Sequence, residues 1–168
     1  MINRAYLSVG SNLGDRQANL VCAIARLNEI GQVTAVSSIY ETEPVEYTAQ
    51  PWFLNCAVAL QTTVDAEELL ERILALEIEI GRRRGPDKGP RTIDIDILLF
   101  GNSVIHTPAL TIPHPAMDQR RFVLEPLAEI APHLRHPIRG CTVLDLRDAL
   151  PGGQAVYKLQ DNRRKPMQ

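Results

Sequence analysis

The clearest pattern in the chain is the alternation of isoleucine with polar residues from Ile93 to Ile97, where the polar positions are Asp94 and Asp96. A period of two is typical of a β-strand with one buried face. We therefore expect the isoleucines to face a core and the two carboxylates to share the opposite face. Two positions along a strand span about 6.6 Å, so both carboxylates can reach one divalent cation or a close pair of cations. The alternative is that both acids form ion pairs with neighbouring arginines on a solvated sheet face.

The same period predicts three further strands, from Ala5 to Val9, from Val33 to Tyr40 and from Phe53 to Gln61. Apolar residues three and four positions apart predict two helices, of which the first ends at Gly31 and the second at Gly81. The predicted order is βαββαβ, with the D-x-D strand last. This order indicates an α+β protein with a ferredoxin-like antiparallel sheet and both helices on one face.

The third predicted strand has two unequal faces. One face is apolar throughout, and the other carries an aromatic residue, an amide and two small residues: Phe53, Asn55, Ala57 and Ala59. Such a row indicates a shallow slot with a stacking wall and a hydrogen-bonding floor. Burying the Asn55 amide without partners would cost roughly 1–3 kcal/mol, so either a ligand or neighbouring backbone is expected to meet it. Because both helices are predicted to cover the apolar face of the sheet, we expect the opposite face to remain uncovered. That face would carry the slot and the two carboxylates together.

The chain after the sheet contains several proline-marked segments. Ile112 to Pro115 is predicted to be extended, since residues before proline avoid the helical region. His114 is held between two prolines, and its restricted backbone makes it a candidate ligand contact. Pro126 is predicted at the first position of a helix that stops at Pro132.

The C-terminal part is predicted to add a short helix from Thr142 to Leu150 and an edge strand from Val156 to Leu159, and to fray from Gln160. No internal repeat, low-complexity tract or linker divides the sequence. We therefore expect one domain over residues 1–168, with a core from about residue 4 to residue 150 and a polar tail at 160–168.

Composition is that of an ordinary globular protein, with 45% hydrophobic and 23% charged residues among 168. No apolar run approaches the roughly 18 residues of a membrane span, and the N-terminus lacks a signal-peptide pattern, so no membrane association is expected. Cys22, Cys56 and Cys141 are too far apart to predict a disulfide framework or a zinc site, which favours a cytoplasmic location. A net charge of −2 gives no support for nucleic-acid binding.

Two stretches are candidates for phosphate binding. Five basic residues and only Asp87 as an acid lie between Arg82 and Arg91, and this local charge of +4 beside the D-x-D strand suits a polyphosphate with its magnesium. The Gly-rich loop from Gly10 to Asp15 leads from a strand into a helix. It lacks the G-x-x-x-x-G-K-[ST] pattern, so a plain tight turn is favoured there.

Taken together, five segments resemble one family, hydroxymethyl-dihydropterin pyrophosphokinase of folate synthesis. They read YLSVGSNLGDR, YETEPV, QPWFLNCAV, GPRTIDIDILLFG and IPHPAMDQRRFVLEPLAEIAP, in the expected order from about residue 6 to residue 132. The resemblance implies a ferredoxin-like fold with ATP as co-substrate and two Mg²⁺ ions. It also implies transfer of pyrophosphate from ATP to the hydroxymethyl group of the dihydropterin, with AMP as the other product.

The resemblance further implies roles for individual residues. The magnesium ligands would be Asp94 and Asp96. The ATP contacts would be Glu77, Arg82, Arg84, Arg91, His114 and Arg120, of which Glu77 is the weaker assignment. The pterin pocket would be formed by Thr42, Pro44, Val45, Phe53, Asn55, Asp94 and Phe122. Arg82, Arg91 and Asp96 would take part in catalysis, although no residue stands out as a general base.

Two positions depart from the family pattern. Lys88 stands where some members carry an aromatic residue, which puts in doubt how the basic loop closes over substrates. Ala116 stands where many members carry an arginine, so the resemblance implies one phosphate contact fewer.

Two rival functions belong to other classes. An RNA-binding sheet would stack bases on aromatic residues in an RNP pattern, but only 5% of the residues are aromatic and no such pattern occurs. A regulatory domain that senses a small molecule would need no D-x-D pair. We therefore expect a monomeric enzyme whose partners are ATP and a pterin.

Overall fold

The computed structural model describes residues 1–45, 49–81 and 91–159. The basic stretch that begins at Arg82 lies outside these ranges up to residue 90, so only Arg91 of that cluster is described. Lys88 and the tail predicted to fray from Gln160 also lie outside the described residues.

Six strands form an antiparallel sheet: β1 (Asn3–Ser11), β2 (Gln32–Val36), β3 (Tyr40–Thr42), β4 (Phe53–Thr62), β5 (Asp94–Phe100) and β8 (Val156–Lys158). The strands lie in the order β5-β1-β4-β3-β8, and β2 also pairs with β4. Two further short strands, β6 (Ile105–His106) and β7 (Thr111–Ile112), form a separate ribbon that the sequence did not predict. The predicted edge strand is confirmed as β8, which pairs with β3.

Four α-helices complete the described chain: α1 (Arg16–Leu27), α2 (Ala66–Ile80), α3 (Arg121–Ile130) and α4 (Val143–Asp148). Asp15 caps α1 and Asp65 caps α2 through their side chains, and Gly81 ends α2 with a positive φ of 115°. With β2 and β3 counted as one broken strand, the order is βαββαβ, so the predicted ferredoxin-like fold is confirmed. Among the described residues, no helix is long and apolar enough to cross a membrane.

The main core lies between α1, α2 and one face of the sheet. Ile93, Ile95 and Ile97 are buried in it, as the alternation predicted. Beyond Ile97, β5 contains one extra residue relative to β1, which is a β-bulge. The bulge turns both Leu98 and Leu99 toward the other face, and this explains why the alternation ends in an unbroken apolar run.

A second core covers part of the opposite face, because α3 and α4 pack against it. Val123, Leu124 and Leu127 are buried there together with Ala57 and Leu98. The prediction that this whole face stays free is therefore wrong. Only the part of the face near the start of β4 and β5 lies beyond this second core.

The start of α3 also differs from the prediction. Pro126 is not the first helical residue but the sixth, and it is buried. A proline at this position loses one helical hydrogen bond. Val123 and Leu124 are already buried in the first turn, so their burial favours a helix that begins at Arg121.

The predicted second strand, Val33 to Tyr40, is broken into β2 and β3 around residues 37–39. Glu129, near the end of α3, accepts hydrogen bonds from the Ser38 backbone and hydroxyl, at 2.8 and 3.0 Å, and from the Tyr40 hydroxyl, at 2.7 Å. Burial alone raises the pKa of Glu129, but the hydrogen bonds from Tyr40 and Ser38 outweigh it and hold the pKa below its usual value. The carboxylate therefore fixes the break in the strand.

We expect Glu129→Ala to lower the free energy of unfolding by about 1–2 kcal/mol, because the Ser38 amide and the Tyr40 hydroxyl lose their partner. Since the folded-state pKa is depressed, this stabilisation is present at neutral pH and is lost as the pH falls through the folded pKa. Urea unfolding at neutral and acid pH measures both effects. The exposed Glu71→Ala on α2 is the control, and equal effects of the two substitutions at neutral pH would contradict the role of Glu129.

Candidate active site

The site is arranged by the position of β1 between β4 and β5. In the observed register Gly10 lies opposite Asn55 on one side and Asp94 on the other. One row along, Ser8 lies between Ala57 and Asp96. Directly opposed residues of antiparallel strands point to the same face. The structure therefore brings the predicted slot and the two carboxylates together on the face opposite α1 and α2.

Gly10 leaves room for the floor of the slot. A β-carbon at this position would overlap Oδ1 of Asn55 and would touch the ring of Phe53. Any residue other than glycine would therefore displace the Asn55 side chain or separate β1 from β4. Gly10 lies in β1 itself, so this glycine serves the sheet face and not the turn that the sequence predicted.

The Asn55 amide is buried and has a protein partner. Its Nδ2 donates to Oγ1 of Thr42 at 2.6 Å, and Thr42 is itself buried. The sequence left open a ligand or neighbouring backbone as the partner, and the partner in the structure is a side chain instead. This bond sets which way the amide faces, because Oδ1 is left lying over Gly10.

Asn12 is a supporting residue that the sequence analysis missed. Asn12 is buried, and its side-chain Oδ1 accepts from the Arg91 backbone N–H at 2.7 Å. The backbone N–H of Asn12 donates to the Arg91 carbonyl at 3.0 Å. Its Nδ2 donates to Oε1 of Gln50 and to the Pro51 carbonyl. The loop after β1 thus fixes the chain just before the D-x-D strand, and the asparagine in G-S-N is the one local signal that could have indicated this role.

The Arg91 guanidinium contacts the first carboxylate of the pair. Nη1 of Arg91 lies 3.1 Å from Oδ1 of Asp94, and both side chains are largely buried. This contact is the ion pair that the alternative for the D-x-D pair expected, although the two side chains are largely buried and do not lie on a solvated face. An ion pair in this position does not exclude a cation or a phosphate, since Arg91 and Asp94 each retain further bonding capacity.

The second carboxylate is in an unfavourable electrostatic environment. Burial and the charge of Asp94 raise the pKa of Asp96 to about 7, and Arg120 opposes the shift. Glu77 adds a further negative charge that raises this pKa. A bound cation would offset the repulsion that Asp94 and Glu77 exert on Asp96.

Glu77 lies beneath the D-x-D strand. Its side chain is 1% exposed, and Oε2 accepts from the backbone amide of Ile95, between the two aspartates, at 2.7 Å. Because β5 lies at the edge of the described sheet, the Ile95 N–H has no partner strand on that side, and the Glu77 carboxylate accepts its hydrogen bond. The structure thus gives Glu77 a supporting contact, and the predicted contact with the nucleotide stays a prediction.

His114 and Arg120 lie beside the carboxylates. Burial and the charge of Arg120 lower the pKa of His114, although Asp94 opposes the shift. Nδ1 of His114 accepts from the Ala116 amide at 3.2 Å, so the neutral ring carries its proton on Nε2 and can donate there. The Arg120 guanidinium lies 5.5 Å from the centre of the Phe122 ring, which is a cation–π contact.

The remaining predicted pocket residues differ in exposure. Pro44 is buried, Phe53 and Phe122 are half-buried, and Val45 is 47% exposed. Arg82 and Arg84 lie outside the described residues.

The residues present fit magnesium. Within the described parts of the chain no three His, Cys, Asp or Glu side chains group as metal ligands. Mg²⁺ at nucleotide sites is held by one or two carboxylates together with substrate phosphates and water, so a pair of aspartates meets its requirement. A self-contained protein cage, as zinc or calcium sites form, is not expected from this donor set.

Paired carboxylates and cationic side chains beside one sheet face are typical of kinase-type transferases. A family model described as 7,8-dihydro-6-hydroxymethylpterin-pyrophosphokinase (HPPK) matches residues 6–132. The chain therefore belongs to this family, as its motifs indicated. Members are enzymes of the pyrophosphokinase step of folate biosynthesis and use ATP as co-substrate.

Curated relatives agree with the family. A 2-amino-4-hydroxy-6-hydroxymethyldihydropteridine pyrophosphokinase of Bacillus subtilis is 52% identical over 132 residues, which cover 77% of this chain and 79% of the relative. The enzyme of the same name from Aquifex aeolicus is 41% identical, with 79% and 83% covered. The folic acid synthesis protein fol1 of Schizosaccharomyces pombe is 40% identical over 95% of this chain, which spans only 22% of that protein.

Solved structures support the fold. The crystal structure of Plasmodium falciparum HPPK-DHPS with pteroate superimposes with a TM-score of 0.73 at 18% identity. The alignment covers 88% of this chain and 42% of the Plasmodium chain. At this identity the match concerns the fold alone.

We expect Gly10→Ala to lower the free energy of unfolding by about 1–3 kcal/mol, because the new methyl group displaces the buried Asn55 amide from Thr42. Gly152→Ala is the matched control, since a β-carbon there meets nothing and φ is not positive. Urea unfolding measures both variants, and the NMR signal of the Asn55 side-chain amide reports the lost bond. An unchanged amide signal in Gly10→Ala would contradict the close approach.

Proposed function

We propose that this protein transfers a pyrophosphoryl group from ATP to the hydroxymethyl group of 6-hydroxymethyl-7,8-dihydropterin, giving AMP and the pterin diphosphate. The observation that carries the proposal is the shared face on which Asp94 lies in register with Asn55, across Gly10, and Asp96 lies one row along, across Ser8 from Ala57. One end of this face suits a metal-bound triphosphate and the other suits a flat heterocycle. The family to which the chain belongs provides the reaction that joins the two.

Cationic and donor groups at the first end would bind the triphosphate. Arg91 and Arg120 offer planar guanidinium groups that match phosphate oxygens, and the neutral His114 ring offers Nε2–H. Arg82 and Arg84 extend this set as predicted contacts. Transfer of this kind depends mainly on alignment and charge neutralisation, so these residues would be the principal catalytic machinery of the protein.

Asp94 and Asp96 would hold two Mg²⁺ ions together with the triphosphate. Bound magnesium would neutralise phosphate charge and help to polarise the phosphorus that is attacked. Burial and the neighbouring charges of Asp94 and Glu77 disfavour ionisation of Asp96, and a bound cation would offset this. Arg91, paired with Asp94, would link the carboxylates to the phosphates.

The pterin would occupy the slot over Gly10. Phe53 and Phe122 would stack on its faces, since a flat heterocycle prefers aromatic walls. The Asn55 amide, oriented by Thr42, would bond to its polar edge. Pro44, Val45 and Asp94 would complete the pocket, and the hydroxymethyl group would then point toward the carboxylates.

Three wider predictions accompany the function. We propose that residues 1–168 form a single pyrophosphokinase domain, that it acts as a monomer and that it works in the cytoplasm. The three cysteines of the described chain are free thiols, which agrees with a reducing compartment.

Asp94→Asn and Asp96→Asn test the proposal. Each keeps the side-chain size but removes one ligand charge, so we expect kcat with ATP, Mg²⁺ and the dihydropterin to fall by about 100-fold or more. Asp148→Asn is the control, because this aspartate is exposed at the end of α4. Near-normal turnover of either variant, with circular dichroism showing a native fold, would contradict the role of the pair.

A further inference from the structure

The C-terminal strap, residues Leu150 to Lys158, bridges two walls of the proposed pterin slot, which are the end of β3 and the start of α3. It pairs with β3 through β8, and the Glu43 amide donates to the Ala155 carbonyl at 3.0 Å. The Ala155 amide donates in return to Oε1 of Glu43 at 2.8 Å. At its other end, Nη2 of Arg121 donates to the carbonyls of Leu150 and Pro151 at 3.3 and 3.1 Å.

Gln154 joins the two walls with a single side chain. Its Nε2 donates to the Glu43 carbonyl at 2.7 Å, and its Oε1 accepts from the Phe122 amide at 3.2 Å. The orientation of the amide is determined by its partners, since a carbonyl needs a donor and an N–H needs an acceptor. Both contacts are therefore lost if the amide turns over.

Both backbone groups that bond to Gln154 belong to a proposed pterin contact or to the residue beside one. Glu43 lies between Thr42, which orients Asn55, and the buried Pro44. Phe122 is itself a proposed stacking face, and its amide lies in the first turn of α3, where helical amides have no partner within the helix. Holding these two walls together fixes the width of the slot between them.

We propose that Gln154 is a positioning residue that sets the width of the pterin slot, an inference that rests on the proposed function. It does not touch the triphosphate end of the site, which is formed by β5, His114 and Arg120. Its loss should weaken pterin binding and leave ATP binding unchanged. The match to the family model ends at residue 132, so the strap lies beyond the matched segment.

A second contact holds the strap on the same side of the slot. Tyr157 stacks on Trp52, with ring centres 6.1 Å apart and planes within 1° of parallel. Trp52 directly precedes Phe53 and is the single tryptophan of the sequence. Its fluorescence therefore reports whether the strap remains in place.

Two variants of the full-length protein test the proposal. Gln154→Ala removes both hydrogen bonds, and Gln154→Glu keeps the acceptor for Phe122 but loses the donor to Glu43. We expect each to raise KM for the dihydropterin about tenfold, which is the equivalent of about 1.4 kcal/mol. We expect KM for ATP to stay within about twofold, and kcat at saturating pterin to stay within about threefold, because the phosphate end is intact.

Gln32→Ala is the matched control, since Gln32 is exposed and pairs with Gln61 at the far end of β4. If Gln154→Ala does not fold, Gln154→Glu and its Trp52 emission decide the outcome. An unchanged KM for the dihydropterin in a folded variant would overturn the role of Gln154 but not the proposed function. Equal rises in both KM values would overturn it as well, since they would indicate a general structural role. A wild-type protein without pterin-dependent turnover would overturn the proposed function itself.

Discussion

The antiparallel register of β1 with both of its neighbours is the constraint on which the site depends. It places Gly10 between Asn55 and Asp94, and only glycine allows the Asn55 amide to lie over β1. A slip of one residue on either side would move the carboxylates or the amide to the opposite face. The main core prevents such a slip, because Val9 and Ile95 would then leave the apolar side of the sheet.

The charges of the site favour the binding of ligands, although they destabilise the protein without a ligand. Burial disfavours the ionised form of Asp96, and the charges of Asp94 and Glu77 disfavour it further. Two hydrogen bonds from backbone amides support this arrangement. The Arg91 amide donates to the Asn12 side chain, and the Ile95 amide donates to the Glu77 carboxylate. A site held in this way is expected to gain stability when cations and phosphates bind.

Local patterns predicted the sheet and the carboxylate pair, because strand period and helix spacing act over a few residues. The sequence could not show that Glu129 breaks the second strand, since that contact joins residues 91 positions apart. Burial of α3 against the second face likewise overrode the rule that places Pro126 at a helix start. Thr42 and Gln154 were not identified as partners of Asn55 and Phe122 because side-chain pairing across the fold leaves no local signal.

Pyrophosphoryl transfer requires that the attacked atom is the β-phosphorus of ATP, and the fate of that phosphorus distinguishes it from the transfer of one phosphate. The measurement uses ATP carrying radioactive phosphorus at the β position, with Mg²⁺, the dihydropterin and the full-length protein, followed by chromatography of the products. Pyrophosphoryl transfer predicts that the label moves to the pterin product and that the AMP is unlabelled. Label retained in ADP, beside an unlabelled pterin monophosphate, would show instead that one phosphate is transferred.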